Sequence, residues 1–82
     1  MFRKPVVWNL GKNSKLKEER GVSFEQVYER LHRNAYRIVY NPSRNHPGQR
    51  MFIVSINGLR YAVPYSEYDS HVFLRTIYRR KP

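Results

Sequence analysis

The spacing of apolar residues changes near Asn34, from the period of helices to that of strands. Before that point, the β-branched run Val6-Val7-Trp8 predicts a first, short strand. Residues 12–20 are good helix formers followed by Gly21, and glycine commonly ends helices. Because apolar residues are sparse in this segment, we expect a helix that lies on the surface.

A second helix is predicted after Ser23, because Gln26 stands three residues later and completes a capping box. Glu25 in the first turn and Arg33 near the last both complement the helix dipole. The apolar residues recur at the spacing of one helical face. They are Phe24, Val27, Tyr28 and Leu31.

The second half of the chain has the alternation that is typical of strands. Strands are predicted over residues 36–40 and 51–56, separated by a loop over residues 41–48 that contains two prolines and a glycine. Asn57-Gly58 is a strong signal for a two-residue hairpin turn, and it leads into a strand over residues 59–63.

Pairing across this turn places three cross-strand pairs on one face, which we expect to pack against the helices. The pairs are Ile56 with Leu59, Val54 with Tyr61, and Phe52 with Val63. The other face would carry Ile53, Ser55, Arg60 and Ala62. Pro64 is expected to end the strand or to mark an edge, because proline cannot donate a ladder hydrogen bond.

The last strand is predicted over residues 71–78. We expect Val72, Leu74, Thr76 and Tyr78 on one side of it, and Phe73, Arg75 and Ile77 on the other. The order β-α-α-β-β-β-β predicts one α+β domain over residues 1–82, with two helices packed on one face of a small antiparallel sheet. The open sheet face, with its arginines, would suit a nucleic acid.

Charge strengthens that expectation. The chain has 16 Lys and Arg against 6 Asp and Glu, a net charge of +10. Four of the six acids lie between Glu18 and Glu29, whereas residues 30–66 contain six arginines and no acid. A folded domain with this field attracts phosphate groups or an acidic protein. RNA is the expected partner, ahead of DNA.

Composition also excludes several kinds of chemistry. The chain has no cysteine for disulfides or thiolate catalysis, and its three histidines are isolated from any metal-binding motif. The chain also has no glycine-rich loop that would hold a phosphate group. On these grounds we expect neither a bound metal nor a cofactor. The apolar run at residues 6–8 is too short for a signal peptide or a membrane span, so we expect a cytoplasmic protein without a membrane partner.

The remaining Arg, Lys, Tyr and His side chains suit RNA cleavage without a metal ion. The RNA 2′-hydroxyl would be the nucleophile, and the protein would supply a base, an acid and cations for the charged transition state. We assign Arg75 and Arg80 to the phosphate, and Tyr78 to base stacking or proton transfer. Candidate RNA contacts are Lys12, Lys15, Arg60, Arg79 and Lys81. A solvated helix face is the commoner case for the two lysines of the first helix, a solvated side chain is about as common for Arg60, and Arg79 and Lys81 are open to the alternative of a frayed, solvated end.

Histidine titrates near neutral pH, so His46 is a candidate general base, but in a loop an exposed bystander is the commoner case. Trp8 is expected to anchor the core or an edge. Of the tyrosines, we expect Tyr28 and Tyr61 in the core, and Tyr65 and Tyr78 at the surface.

Two N-terminal segments, Val7-Trp8-Asn9-Leu10-Gly11-Lys12-Asn13 and Arg20-Gly21-Val22-Ser23-Phe24-Glu25-Gln26-Val27, are distinctive. Weaker matches follow at Pro47-Gly48-Gln49, Ile56-Asn57-Gly58, Val63-Pro64 and Phe73-Leu74-Arg75-Thr76-Ile77. Together, over nearly the whole chain, these segments resemble the BrnT family of bacterial toxins. The chain departs from that pattern at Tyr78-Arg79, where relatives often carry Pro-Ser or Arg-Ser.

The resemblance implies a RelE/barnase-like ribonuclease of a type II toxin–antitoxin pair. It implies a small antitoxin with a DNA-binding domain as partner, and contact with operator DNA only through the toxin–antitoxin complex. Basic or polar family positions are matched by Lys12, Asn13, Arg20, Arg75 and Arg80. On this ground Asn13 and Arg20 join the candidate RNA-binding residues.

Other functions stay open at this stage. A non-catalytic RNA- or DNA-binding module would show salt-dependent binding without turnover. A degenerate toxin kept for antitoxin binding, or a basic protein-interaction domain, would bind only an acidic protein. Growth arrest on expression, relieved by the neighbouring gene, distinguishes an active toxin from these alternatives.

Overall fold

The computed structural model describes residues 3–80, which form two helices and a six-stranded sheet. In chain order the elements are β1 (Val6–Trp8), α1 (Leu10–Arg20), α2 (Phe24–His32), β2 (Arg37–Tyr40), β3 (Arg50–Ile56), β4 (Leu59–Glu67), β5 (Val72–Leu74) and β6 (Tyr78–Arg79). The predicted α+β class is confirmed.

The sheet is mixed rather than wholly antiparallel. Its strand order is β1-β5-β4-β3-β2, and β6 pairs with β4 beyond the end of β5. The prediction of an antiparallel sheet was wrong because β1 pairs in parallel with β5, Val6 lying opposite Val72 and Trp8 opposite Leu74. The first strand of the chain thereby forms one edge of the sheet.

Local capping signals determine where both helices begin. The Asn9 side chain accepts a hydrogen bond from the Lys12 amide at 2.8 Å, so α1 begins at Leu10, two residues before the predicted start. The predicted capping box of α2 is confirmed, since Ser23 and Gln26 each accept a bond from the other's backbone amide.

The apolar face of α2 is narrower than predicted. Phe24, Val27 and Leu31 are fully buried, whereas Tyr28 is 45% exposed at the edge of the stripe. Tyr28 packs there beside the rings of Trp8 and His32. The expectation that Tyr28 belongs to the core was therefore wrong.

The main core lies between the two helices and one face of the sheet. Leu16 is the α1 residue in it, and α2 packs on β3. Phe52 and Tyr65 stack within it, with ring centroids 4.0 Å apart. Tyr65, expected at the surface, is only 4% exposed, and its burial raises the pKa of its hydroxyl.

The hairpin between β3 and β4 has the predicted register, from Ile56 opposite Leu59 to Phe52 opposite Val63. Asn57 and Gly58 have φ values of 53° and 78°. Both lie in the left-handed region that a two-residue turn of this kind requires.

Gly58→Ala is expected to destabilise the protein by about 1–2 kcal/mol, because a side chain makes the left-handed backbone conformation costly. Urea unfolding measures the difference. Asn57→Gly is the matched control, and we expect it to leave the stability nearly unchanged. Equal stability of Gly58→Ala and the wild type would contradict the turn geometry.

Pro64 does not end β4, contrary to the prediction. It lies opposite Met51 on the β3 side, and its carbonyl accepts a hydrogen bond from the Arg75 amide at 2.9 Å on the other side. On that side two strand pairs, Tyr65–Leu74 and Ala62–Tyr78, enclose the irregular stretch. Between them, the three residues 75–77 lie opposite only the two residues 63–64 of β4. This extra residue makes a β-bulge, and the nitrogen of Pro64 faces the bulge, where no ladder bond is lost.

The bulge also reverses the side-chain alternation after Leu74. Ile77 lies in the main core rather than beside Phe73 and Arg75, and Tyr78 lies on the opposite face. That opposite face, here called the helix-free face, carries a second apolar cluster. Its buried members are Met51, Ile53 and Ala62, with Val39 and Tyr78 packed against them.

An ion-pair cluster fixes the start of the chain to β4. The Glu67 carboxylate accepts a hydrogen bond from Lys4 Nζ at 2.8 Å and another from Arg50 Nη2 at 3.0 Å. The bond from Lys4 is the main cause that lowers the pKa of Glu67, and Arg50 adds to it.

Folding lowers the pKa of Glu67, so the ionised carboxylate stabilises the protein at pH values above the ordinary pKa of a glutamate. This contribution is lost as the pH falls through the lowered pKa. Glu67→Gln should therefore reduce the loss of stability on acidification. Thermal unfolding from neutral to acidic pH measures it. An unchanged pH dependence would contradict the assignment.

Candidate nucleic-acid interface

Four arginines, here called the arginine track, lie on the helix-free face. Arg37 of β2 is opposite Ile53, and Arg60 of β4 is opposite Ser55. Arg75 follows β5 at the bulge and bonds from Nη1 to Ser66 Oγ at 2.9 Å. The fourth, Arg80, follows β6, and its amide donates to the Arg60 carbonyl at 2.9 Å.

No carboxylate neutralises the arginine track within residues 3–80. The ion pairs of this part of the chain join Lys4 and Arg50 to Glu67, Lys17 to Glu25, and Arg30 to Glu29. Arg60 and Arg80 are cross-strand neighbours, an arrangement in which like charges repel each other. An anion bound between them would remove that repulsion.

A depression of about 270 Å³ lies where the bulge meets the loop between β2 and β3. Arg75, Thr76 and Tyr78 line it from the bulge side, and His46 and Gln49 line it from the loop. The Arg75 guanidinium lies 6.0 Å from the centre of the Phe73 ring. Its other partner is a neutral hydroxyl, so its charge is available to a phosphate.

Hydrogen bonds within the loop hold His46 in this position. The Asn41 amide donates to the Gln49 carbonyl at 2.7 Å, and the two side chains bond at 2.9 Å. Inside that closure, the His46 amide donates to the Ser43 carbonyl at 3.2 Å. The sequence favours an exposed bystander at this position, and His46 is exposed in the structure, where it lines the same depression as Arg75 and Tyr78.

Tyr78 separates Arg75 from Arg80. It also lines an adjoining depression of about 300 Å³ that includes Arg80. Arg75 and Arg80 bond to β4 at Pro64 and Arg60, which are roughly 13 Å apart along the strand. They are therefore placed to contact different phosphates of one strand, not one phosphate from both sides.

The hydroxyl of Tyr78 points into the protein. It donates a hydrogen bond to Met51 Sδ at 3.0 Å, and the side chain packs on the second apolar cluster. Sulfur is a weak acceptor, so this bond leaves the ring as the main feature that Tyr78 presents. Of the two predicted roles, the geometry favours base stacking over proton transfer.

Asn13 is a structural residue, which corrects its assignment to RNA binding. Its side chain is only 3% exposed. Asn13 Oδ1 accepts from the Phe24 amide and Nδ2 donates to Glu25 Oε1, each at 2.8 Å. This second bond is the main cause that lowers the pKa of Glu25. Asn13 thus joins α1 to the beginning of α2.

The structure does not bring the other candidate RNA contacts together with Arg75. Lys12 and Lys15 are exposed on α1, on the helix side of the sheet. Arg20 donates from Nη1 to the Ile77 carbonyl and so connects α1 to the bulge. Arg79 lies opposite Tyr61, a main-core residue, so its register position is on the helix side. Lys81 lies outside the described residues.

Neither helix within residues 3–80 has the length and apolarity needed to cross a lipid bilayer. No family model, curated protein or solved structure matches this chain.

Proposed function

We propose that this protein is a metal-independent endoribonuclease that binds single-stranded RNA on its helix-free face. The carrying observation is the depression shared by His46, Arg75 and Tyr78, set within a sheet face whose arginines have no carboxylate partner among residues 3–80. Cleavage through the RNA 2′-hydroxyl needs a base and cations for the charged transition state, which an imidazole and arginines can supply, and an aromatic ring can stack on a base of the RNA.

In the proposed reaction, His46 removes the proton from the 2′-hydroxyl, which attacks the neighbouring phosphorus. Arg75 stabilises the extra negative charge of the phosphorane, and Arg80 holds a phosphate further along the strand. Tyr78 stacks on a base beside the scissile bond, which aligns the sugar for attack. The bond from phosphorus to the 5′-oxygen then breaks as a water molecule protonates that oxygen, which leaves a 2′,3′-cyclic phosphate and a 5′-hydroxyl, and His46 returns its proton to the solvent.

We further propose that the enzyme is the toxin of a type II toxin–antitoxin pair, as the resemblance to the BrnT family implies. An antitoxin with an acidic surface would compete with RNA for the arginine track, because both ligands present negative charge to the same face. The localisation that goes with this function is cytoplasmic.

A second candidate, a non-catalytic RNA- or DNA-binding module, is favoured by one observation. The hydroxyl of Tyr78 donates to Met51 Sδ, so it is not free to donate a proton to the departing oxygen. A module of this kind would bind RNA in a salt-dependent way without cleaving it.

Incubation of the purified protein with single-stranded RNA in EDTA tests these alternatives. The ribonuclease proposal predicts cleavage with 2′,3′-cyclic phosphate ends, and no cleavage of the same strand made with 2′-deoxy sugars. Salt-dependent binding without cleavage would contradict the proposal and support the module.

Expression in bacteria tests the toxin proposal separately. We expect growth arrest that is relieved when the neighbouring open reading frame is expressed with it. Normal growth of cells that contain the folded, RNA-cleaving protein would contradict the toxin role while leaving the ribonuclease activity intact.

A further inference from the structure

A further depression, of about 450 Å³, lies at the end of the sheet away from the bulge, where the helix-free face meets Arg30 of α2. Arg30, Arg37 and Arg60 line it, together with Ser55 and Ile53. Neither Arg30 nor Arg37 stood among the residues that the sequence indicated for RNA binding.

The strand register sets the distance between the two track arginines here. Because β3 lies between β2 and β4, Arg37 opposite Ile53 and Arg60 opposite Ser55 are two strands apart. Sheet spacings place their Cα atoms about 12 Å apart on one face. Arginine side chains are long enough for both guanidinium groups to reach one anion between them.

The third arginine forms a fixed wall of this depression. Arg30 pairs with Glu29 and donates from Nε to the Ser55 carbonyl at 2.9 Å. Arg37 and Arg60 are exposed, and neither has a carboxylate partner within residues 3–80. The cations at this position that remain for a ligand are therefore Arg37 and Arg60.

We infer that Arg37 and Arg60 form a second phosphate subsite, which holds the RNA backbone beyond the nucleotides that flank the scissile bond. This inference rests on the proposed function, which puts RNA on the helix-free face. Arg75 bonds to Pro64, four residues along β4 from Arg60, so roughly 13 Å of sheet separates the two positions. A long single strand occupies both positions, whereas a dinucleotide occupies only the one beside Arg75.

Fluorescence anisotropy with uncleavable 2′-O-methyl RNA tests the subsite, using an oligonucleotide of about 12 nucleotides, a length typical of single-strand sites. For Arg37→Ala/Arg60→Ala we expect about tenfold weaker binding of this RNA and a salt slope smaller by about 0.7, the value for one lost phosphate contact on a single strand. Binding of a 2′-O-methyl dinucleotide should be unchanged.

Arg3→Ala/Arg33→Ala is the matched control, since it removes the same charge from two exposed arginines that line none of these depressions. An equal loss of binding in this control, or an equal loss for the dinucleotide, would overturn the subsite. Thermal unfolding verifies that each variant is folded, and Arg37→Gln/Arg60→Gln replaces the alanine variant if that one is not.

Cleavage of unmodified RNA by the wild type, measured in parallel, separates the two proposals. If the wild type does not cleave but the length-dependent loss of binding is found, the enzymatic function fails and the subsite stands. If the wild type cleaves and Arg37→Ala/Arg60→Ala binds the long RNA as the wild type does, the subsite fails alone.

Discussion

Replacing both Arg75 and Arg80 with alanine is expected to lower RNA cleavage in EDTA by about 10³-fold or more. The removal of one positioned charge from a transition-state site commonly costs about 10²–10³-fold in turnover. Arg75 carries most of this effect, because it lies in the same depression as His46 and Tyr78. Its loss would leave the phosphorane charge without the nearest cation.

The single variants should differ from each other. Arg75→Ala should lower kcat, because its contact strengthens as charge develops on the phosphorane. Arg80→Ala should mainly raise KM, since Tyr78 separates Arg80 from that depression and its phosphate does not react. Steady-state cleavage of a fluorescent RNA measures both constants.

The control for these variants is again Arg3→Ala/Arg33→Ala, which lowers the net charge equally. We expect it to cleave RNA nearly as fast as the wild type. Wild-type cleavage by Arg75→Ala/Arg80→Ala would show that the reaction takes place elsewhere, and the assignment of the bulge as the active site would fall.

The second large effect is on stability. Asn13→Ala is expected to destabilise the protein by about 2–3 kcal/mol, because it leaves the buried Phe24 amide without an acceptor and removes a bond to the Glu25 carboxylate. Urea unfolding measures the difference. Ser14→Ala, at an exposed position of the same helix, should change stability by about 0.5 kcal/mol or less.

Asn13→Asp makes this prediction more specific. It keeps an oxygen that can accept from the Phe24 amide but sets a second carboxylate against Glu25. Two adjacent carboxylates disfavour each other's ionised form, so the deficit in stability should shrink as the pH falls and one of them is protonated. A deficit that is independent of pH, or full stability of Asn13→Ala, would contradict the buried bridge.

Features that depend on a few neighbouring residues could be predicted from the sequence. The capping box of Ser23 and Gln26 and the Asn57-Gly58 turn are local, because residues two or three positions apart supply both the donors and the acceptors. The turn then set the register of β3 and β4, and a residue's partner across that hairpin followed by counting.

Features that depend on a single inserted residue or on distant segments could not be predicted from the sequence. The bulge after Leu74 reverses the alternation of the last strand, and a period-2 pattern contains no mark of the extra residue. The parallel pairing of β1 with β5 depends on segments more than sixty residues apart. The burial of Asn13 likewise depends on the packing of one helix start against another.

The candidate site also has residues that the sequence could indicate and residues that only the fold brings together. Arg75 could be singled out because a charge within an apolar strand is unusual, and Arg37 carried the same signal beside Ile38 and Val39. That His46 and Arg75 line one depression results from the fold of the loop over residues 41–49, which spacing along the chain does not encode.

Whether RNA lies on the helix-free face is tested most directly by NMR titration with uncleavable 2′-O-methyl RNA, observing the arginine Nε–Hε resonances. We expect the resonances of Arg37, Arg60, Arg75 and Arg80 to shift, and those of Arg3 and Arg33 to stay in place. Shifts of Arg20 and the other α1 side chains, with the arginine track unmoved, would contradict an RNA interface on this face.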